Sequence, residues 1–112
     1  MSHAATLARL AEADATFRRQ GPLWVGKCLI CNGPIAFNAA TGEGATLEHI
    51  RARSRGGTDD WDNLAVAHAR CNGEKGRRWD PKRKRHPEEY EAFLAKLLER
   101  RRARQRDTPR GP

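Results

Sequence analysis

Three cysteines and one histidine of this 112-residue chain fall into two pairs. Cys28 and Cys31 are separated by two residues, and after 36 intervening residues His68 and Cys71 have the same separation. Because a two-residue gap lets both side chains of a pair face one point, two pairs can close a tetrahedral shell of three sulfurs and one nitrogen, which zinc favours. Four protein ligands leave no position for a substrate, so the predicted zinc is structural. The alternative is that the cysteines are small buried apolar residues and that the histidine lies on the surface.

A second set of polar residues lies between and just after these pairs. It comprises Glu48-His49, Gly56-Gly57, Asn63-Leu64, Asn72 and Lys75. Alone, each is weak evidence for function, since a Glu-His pair is common in surface strands and a Gly-Gly pair indicates only a turn. A stable core does not need this combination, whereas a catalytic site beside the metal site could use it.

In the order CxxC, carboxylate-His, Gly-Gly, Asn-Leu and HxxCNxxK, the motifs of residues 28–78 resemble those of the HNH endonuclease family. The resemblance implies an α+β fold with a small, treble-clef-like ββα-metal core. We expect zinc to stabilise this core, and we expect N- and C-terminal helices, predicted from hydrophobic periodicity, to flank it. The resemblance also implies a metal-dependent endonuclease that hydrolyses DNA phosphodiester bonds, by nicking or by double-strand cleavage, and leaves 5′-phosphate and 3′-hydroxyl ends.

The same resemblance assigns roles to individual residues. His49 matches the general base that takes a proton from the attacking water, and Asn63 matches the residue that orients its ring through a side-chain or backbone carbonyl. Glu48 and Asn72 match the ligands of a catalytic Mg²⁺ or Mn²⁺ ion. The sequence departs from the usual family pattern twice, with Glu48 in place of Asp and His68 in place of Cys.

Positive charge is concentrated in the C-terminal third. The formal net charge is +8, of which residues 1–76 carry +1 and residues 77–112 carry +7. This asymmetry favours a polyanionic partner such as DNA, although a solvated basic helix that only keeps the protein soluble would give the same count. The expected phosphate contacts are Arg51, Arg53, Arg55, Lys75, Arg77, Arg78, Lys82, Arg83, Lys84 and Arg85. For Lys75, support of its helix is the other interpretation.

Hydrophobic periodicity and turn residues predict three segments. Residues 1–26 are an N-terminal helix over 4–19, ended at residues 20–22, and a lead-in. Residues 27–80 are the HNH domain, in which strands over 34–37 and 45–50 form a hairpin and a helix over 68–78 stops at residues 79–81. Residues 81–112 are a basic linker, a helix that begins near Pro87, and a basic tail without a core to join.

Composition bounds these interpretations. Because only 38% of the residues are hydrophobic and 32% are charged, the core is thin, and a metal staple would supplement it. Charged residues interrupt the first twenty positions and no apolar run approaches a membrane span, so we expect a cytoplasmic protein without a membrane partner. We expect it to be a monomer or a homodimer. Without a visible base-reading module, we expect weak sequence preference on DNA. Two other functions remain open: a non-catalytic zinc-knuckle module that binds nucleic acid, and a protein–protein adaptor that uses the C-terminal helix.

Overall fold

The computed structural model describes residues 2–106, with the backbone alone for residues 80–82. Within this range the predicted α+β class is confirmed. The helices are α1 (His3–Ala13), α2 (Ala69–Arg85) and α3 (Pro87–Arg104). The strands are β1 (Arg18–Gln20), β2 (Leu23–Lys27), β3 (Pro34–Asn38), β4 (Thr46–His49) and β5 (Leu64–Ala67). No helix in the described range is long and apolar enough to cross a membrane.

Helix α1 is shorter than predicted. It begins where the Ser2 side chain accepts a hydrogen bond from the backbone of Ala5, and it ends at Ala13. The predicted extension to residue 19 is wrong because Asp14 Oδ1 accepts from both the backbone N–H and the hydroxyl of Thr16, each at 2.7 Å, and this local turn competes with the helix. Phe17 is buried as expected of the apolar stripe, but from a segment beyond the helix.

The N-terminal half forms an antiparallel sheet in the order β1-β2-β3. Where a helix end was predicted at residues 20–22, Gln20 ends β1 and residues 21–22 form the turn to β2, in which Gly21 adopts a φ of 59°. The predicted lead-in to the cysteines is strand β2. A Cβ atom on Gly26 of this strand would lie 2.4 Å from the Phe17 ring, so glycine is what lets that ring pack against the sheet.

Strands β3 and β4 both form as predicted, but the predicted hairpin between them is wrong. Strand β3 pairs with β2, and β4 pairs antiparallel with β5, placing Glu48 opposite Ala65 and His49 opposite Leu64. All four residues of β5 are buried. Strand β5 contributes to two hydrophobic clusters, since Leu64, Val66 and Ala67 lie in the cluster around α1 and Ala65 lies in the cluster around α3. The β4-β5 pair is therefore held from both sides.

Helix α2 continues past the predicted stop at residues 79–81 as far as Arg85, so the predicted basic linker at 82–85 is helical. Pro81 lies inside this helix, and a proline in that position removes one backbone hydrogen bond. Tertiary packing offsets this loss, because the Trp79 ring stacks on Phe93 of α3 at 4.6 Å and lies 6.3 Å from the Tyr90 ring. Pro87 lies in the first turn of α3, as predicted.

Several basic residues at and just beyond the end of α3 make hydrogen bonds within the fold. Arg101 donates to the carbonyls of Leu64 and Trp61 at 2.9 and 3.1 Å, and Arg106 donates to the carbonyls of Glu12 and Phe17 at 2.7 and 2.8 Å. The prediction of a tail with no core to join is therefore wrong up to residue 106, and its remainder, 107–112, lies outside the described residues.

Candidate metal centre and active site

The turn after β2 directs two thiols toward one point. Cys28 N–H donates to the Gly33 carbonyl at 2.8 Å, and Asn32 N–H donates to the Cys28 carbonyl at 2.9 Å. Asn32 has a φ of 63°, a left-handed conformation that asparagine tolerates better than most residues. This tight turn places the Cys28 and Cys31 sulfurs beside the second pair.

The second pair lies at the start of α2. His68 immediately precedes the helix and Cys71 lies in its first turn. His68 Nδ1 is 3.5 Å from the Cys31 sulfur and 3.6 Å from the Cys71 sulfur, while Nε2 is 3.0 Å from the Pro34 carbonyl. Because that carbonyl can only accept, Nε2 carries the proton and Nδ1 presents its lone pair to the thiols.

The ligand atoms of Cys28, Cys31, His68 and Cys71 all lie within 4.8 Å of one another. Backbone N–H groups of Gly33 and His68 point at the Cys31 and Cys28 sulfurs at 3.3 and 3.4 Å, an arrangement that favours thiolates. The Gly33 N–H chiefly lowers the pKa of Cys31 to about 7, whereas burial and then neighbouring thiol groups raise the pKa of Cys71 to about 12. A cation at the centre would relieve the repulsion among these thiolates, and the Cys3His group can hold zinc.

Helix α3 clasps the turn that carries the first two cysteines. Arg100 donates to the carbonyls of Leu29 and Ile30 at 2.6 and 3.0 Å. Arg104 is only 8% exposed and donates to the carbonyls of Lys27 and Cys28 at 3.1 and 3.3 Å, and to the Asn32 side chain. Two guanidinium groups therefore satisfy backbone acceptors around the turn, and we call this set the arginine clasp.

Glu48 lies on β4 with only 2% of its surface exposed. Lys75 Nζ, from α2, is 3.2 Å from Glu48 Oε2 and also donates to the carbonyls of His49 and Ile50 at 3.2 and 2.8 Å. Burial raises the pKa of Glu48, and Lys75 opposes that rise. Oε2 has an ion-pair neighbour but no hydrogen bond of good geometry, so this acceptor could still take a cation.

His49, next on β4, meets a residue that the sequence analysis missed. Its Nε2 lies 2.8 Å from Asp59 Oδ1. The same carboxylate pairs with Arg53, whose Nε is 3.1 Å from Oδ1 and whose Nη2 contacts Oδ2. Arg53 first, and His49 second, lower the pKa of Asp59. Asp59 lies in an irregular loop, two residues after the Gly-Gly turn, where no periodicity marks a side chain as functional.

Asn63 holds the loop rather than the imidazole. Its Oδ1 accepts from the backbone N–H of Arg51 at 2.8 Å, and its Nδ2 donates to the carbonyls of Arg51 and Thr58 at 3.0 and 2.8 Å. Its own carbonyl accepts from the Ile50 N–H. The expected hydrogen bond between Asn63 and the His49 ring is not among those of the described residues, where Asp59 takes that position instead.

Gly57 allows this loop to close. Its N–H donates to the Ala52 carbonyl at 3.0 Å, and an added Cβ atom would lie 1.7 Å from the Arg51 carbonyl oxygen. Such an approach is impossible for any other residue without a shift of the backbone. The Gly-Gly motif thus sets the path of the chain that leads to Asp59.

Three of the predicted active-site residues line one depression. Glu48 and His49 from β4 face Asn72 from α2 across a space of about 210 Å³, which Arg53 and Lys75 also border. Asn72 directly follows the ligand Cys71, so the Cys3His group and the depression occupy adjacent parts of one helix. Asn63 is not among the residues that line it.

The basic residues predicted to contact phosphate differ in their availability. Arg51 makes a two-pronged ion pair with Glu91 of α3 at 2.9 and 2.5 Å, Arg53 is paired with Asp59, and Lys75 is buried. Arg55 is half-buried and donates to the Ser54 carbonyl at 3.4 Å. On α2, Arg77, Arg78, Lys84 and Arg85 are exposed and Arg83 is half-buried. The side chain of Lys82 lies outside the described residues.

Strands β4 and β5 with helix α2 form a ββα unit around one depression, next to a Cys3His group, and this combination defines a small metal-binding nuclease-like domain. Residues 28–78 match the family model described as HNH endonuclease, which confirms the resemblance. The match covers 51 of the 112 residues, a little under half of the chain, and it implies a nucleic-acid substrate. No curated protein and no solved structure matches the chain significantly.

Proposed function

We propose that this protein is a metal-dependent HNH endonuclease that hydrolyses phosphodiester bonds of DNA. The observation that carries the proposal is the single depression lined by Glu48, His49 and Asn72. A base beside a carboxylate and an amide that can hold a divalent ion is a set of groups that can accelerate hydrolysis of a phosphodiester by water. The family match and the net charge of +8 support a polyanionic substrate.

In this proposal His49 takes a proton from the attacking water, a step that a positioned general base accelerates by about 10²–10⁴-fold. Glu48 and Asn72 hold Mg²⁺ or Mn²⁺ through one carboxylate and one amide oxygen, a donor set that suits either ion. When bound, that ion supplies positive charge to the scissile phosphate and the leaving oxygen. Asn63 acts indirectly, by closing the loop between β4 and β5.

Zinc in the Cys3His group has a structural role in this proposal, because four protein ligands leave no open position. It fixes the start of α2 and hence the backbone of Asn72. For Lys75, the buried contacts favour support of the helix over phosphate contact, since Nζ is surrounded by two carbonyls and the Glu48 carboxylate.

The exposed basic residues of α2 are the best candidates for phosphate contact. Arg77, Arg78, Lys84 and Arg85 would bind the backbone without reading bases, so binding should weaken steeply with salt. Arg51 and Arg53 would join them only after exchanging their carboxylate partners for phosphate. One such active site cuts one strand, so a monomer nicks and a double-strand break requires a second subunit or a second visit.

One observation favours a second candidate, the non-catalytic zinc-knuckle module. Glu48 is buried and already paired with Lys75, which could keep its carboxylate from a catalytic ion. This candidate predicts binding of nucleic acid without cleavage.

Relaxation of supercoiled plasmid separates the two candidates. Zinc-loaded protein is incubated with plasmid and Mg²⁺ or Mn²⁺, beside His49→Ala and a reaction with the catalytic ion withheld. His3→Ala is the matched control, because His3 is exposed on α1. The endonuclease predicts open circles with wild type and His3→Ala only. Plasmid binding without nicking under either ion would support the binding module.

A further inference from the structure

Among the described residues, Asp59 is the one group hydrogen-bonded to the His49 ring. The function proposed above gives this carboxylate no role. The carboxylate is 58% exposed, whereas the histidine is 21% exposed. An exposed acidic residue beside a site for a polyanion is electrostatically unfavourable unless it does something else there. The question is therefore what the contact achieves.

The contact is held from several directions. The carbonyl of the preceding residue, Thr58, accepts a hydrogen bond from the Asn63 side chain at 2.8 Å. The backbone carbonyl of the following residue, Asp60, accepts one from the Asn63 N–H at 2.8 Å. Arg53 grips both carboxylate oxygens of Asp59. The position of Asp59 therefore follows from the fold of the loop and not from a chance encounter of two surface side chains.

The direction of the hydrogen bond determines the state of the imidazole. An ionised carboxylate has no proton to give, so His49 Nε2 must donate to it. In the neutral ring the lone pair then lies on Nδ1, the other nitrogen. A carboxylate in this position also stabilises the ring once it has gained a second proton.

We propose that Asp59 is a positioning residue for His49, fixing the tautomer in which Nδ1 accepts the proton of the attacking water. The inference rests on the proposed nuclease function. In the step it serves, an O–H bond of water breaks, its proton passes to Nδ1, and the water oxygen forms a new bond to phosphorus as the leaving oxygen departs with its electron pair. Arg53 is the second member of this arrangement, because it orients the carboxylate.

The opposite role for Asp59 is inhibition, in which the carboxylate blocks the His49 ring. A carboxylate that only occupied the histidine and neutralised Arg53 would hinder the binding and cleavage of DNA, and its removal would raise kcat. The two roles thus predict changes of opposite sign in kcat on removing the side chain.

The first test measures the imidazole directly. In zinc-loaded protein without DNA or catalytic ion, the ¹⁵N shifts of His49, assigned with His49→Ala, should report the Nε2–H tautomer. Asp59→Ala should give a mixture of tautomers, and Asp60→Asn, a matched change at the adjacent exposed acid, should not. A tautomer that is the same in wild type and Asp59→Ala would overturn the inference whether or not the protein cuts DNA.

The second test measures nicking kinetics. We expect Asp59→Ala and Asp59→Asn to lower kcat by about 10–100-fold, as for other residues that orient a functional group. Asp59→Glu should recover part of the loss, and Asp60→Asn should match wild type. Nicking by Asp59→Ala at the wild-type rate or faster would overturn the inference, whereas absence of nicking by wild type under either ion would overturn the proposed function. Circular dichroism of each variant identifies any that fails to fold.

Discussion

Replacement of Lys75 by methionine tests the packing of α2 against β4. Methionine has a similar length and helix propensity, so the substitution removes mainly the charge and its three contacts. It leaves Glu48 buried and without a cationic neighbour, and removal of one partner of a buried pair typically costs about 3–5 kcal/mol. Since a small domain has about 5–15 kcal/mol of stability in total, this loss is severe.

The free energy of unfolding should be measured by urea denaturation of zinc-loaded protein. A loss of this size would lower the urea midpoint by on the order of 2 M, given a slope of about 1–3 kcal/mol per molar urea. Lys84→Met is the matched control, because Lys84 lies on the same helix with its side chain exposed. We expect it to change stability by less than about 0.5 kcal/mol.

A double-mutant cycle with Glu48→Gln isolates the ion pair. If the unpaired carboxylate causes the loss, Lys75→Met should cost less in the Glu48→Gln background than in wild type. The deficit should also depend on pH. Burial raises the pKa of Glu48, so acidification protonates the orphaned carboxyl and removes its charge, and the deficit should shrink as the pH falls. A loss under about 1 kcal/mol, or no coupling to Glu48, would refute the reasoning.

Three further predictions concern the clasp, the loop and the zinc. Arg104→Met should lower the free energy of unfolding by about 3 kcal/mol and speed zinc transfer to a colorimetric chelator, because buried carbonyls lose a charged donor, while Arg102→Met, at an exposed position, should change neither. Gly57→Ala should displace the loop and reduce nicking at least about tenfold, with Gly73→Ala, on the exposed face of α2, as the neutral or slightly stabilising control; equal nicking by both would contradict the close approach seen here. Removal of zinc should unfold the domain, because the binding free energy of such sites, about 10 kcal/mol, rivals the stability of a whole domain, and an unchanged circular dichroism spectrum after chelation would contradict this.

The features that the sequence predicted well are local ones. The two-residue spacing within each pair of metal ligands, and the short strand β3 bounded by turn residues, depend on near neighbours along the chain. Strand pairing is not local, and so the hairpin of β3 with β4 was wrong although both strands form. The start of α2 was predicted, but its end was not, because the stacking of Trp79 on Phe93 overrides the helix-breaking tendency of the proline two residues later.

The same difference between local and non-local features applies to the candidate site. Family motifs brought Glu48, His49 and Asn72 to attention, and the structure places them around one depression. Asp59 carries no such signal, since its role depends on the path of an irregular loop. The charge of the C-terminal third overstates the positive surface available to a polyanion, because several arginines of α3 donate to backbone carbonyls. A total of positive charges does not distinguish such side chains from those that face solvent.

The arginine clasp also bears on the order in which the chain folds. The hydrogen bonds of the clasp join residues that are 70 to 77 positions apart. By contrast, the two residues within each pair of metal ligands, Cys28 with Cys31 and His68 with Cys71, are three positions apart. Contacts between distant residues require closure of a long loop, and they generally form after local ones. We therefore expect the clasp to form late on the folding pathway. Interactions absent from the transition state slow unfolding without hastening folding, so the main effect of the clasp is to prolong the lifetime of the folded state.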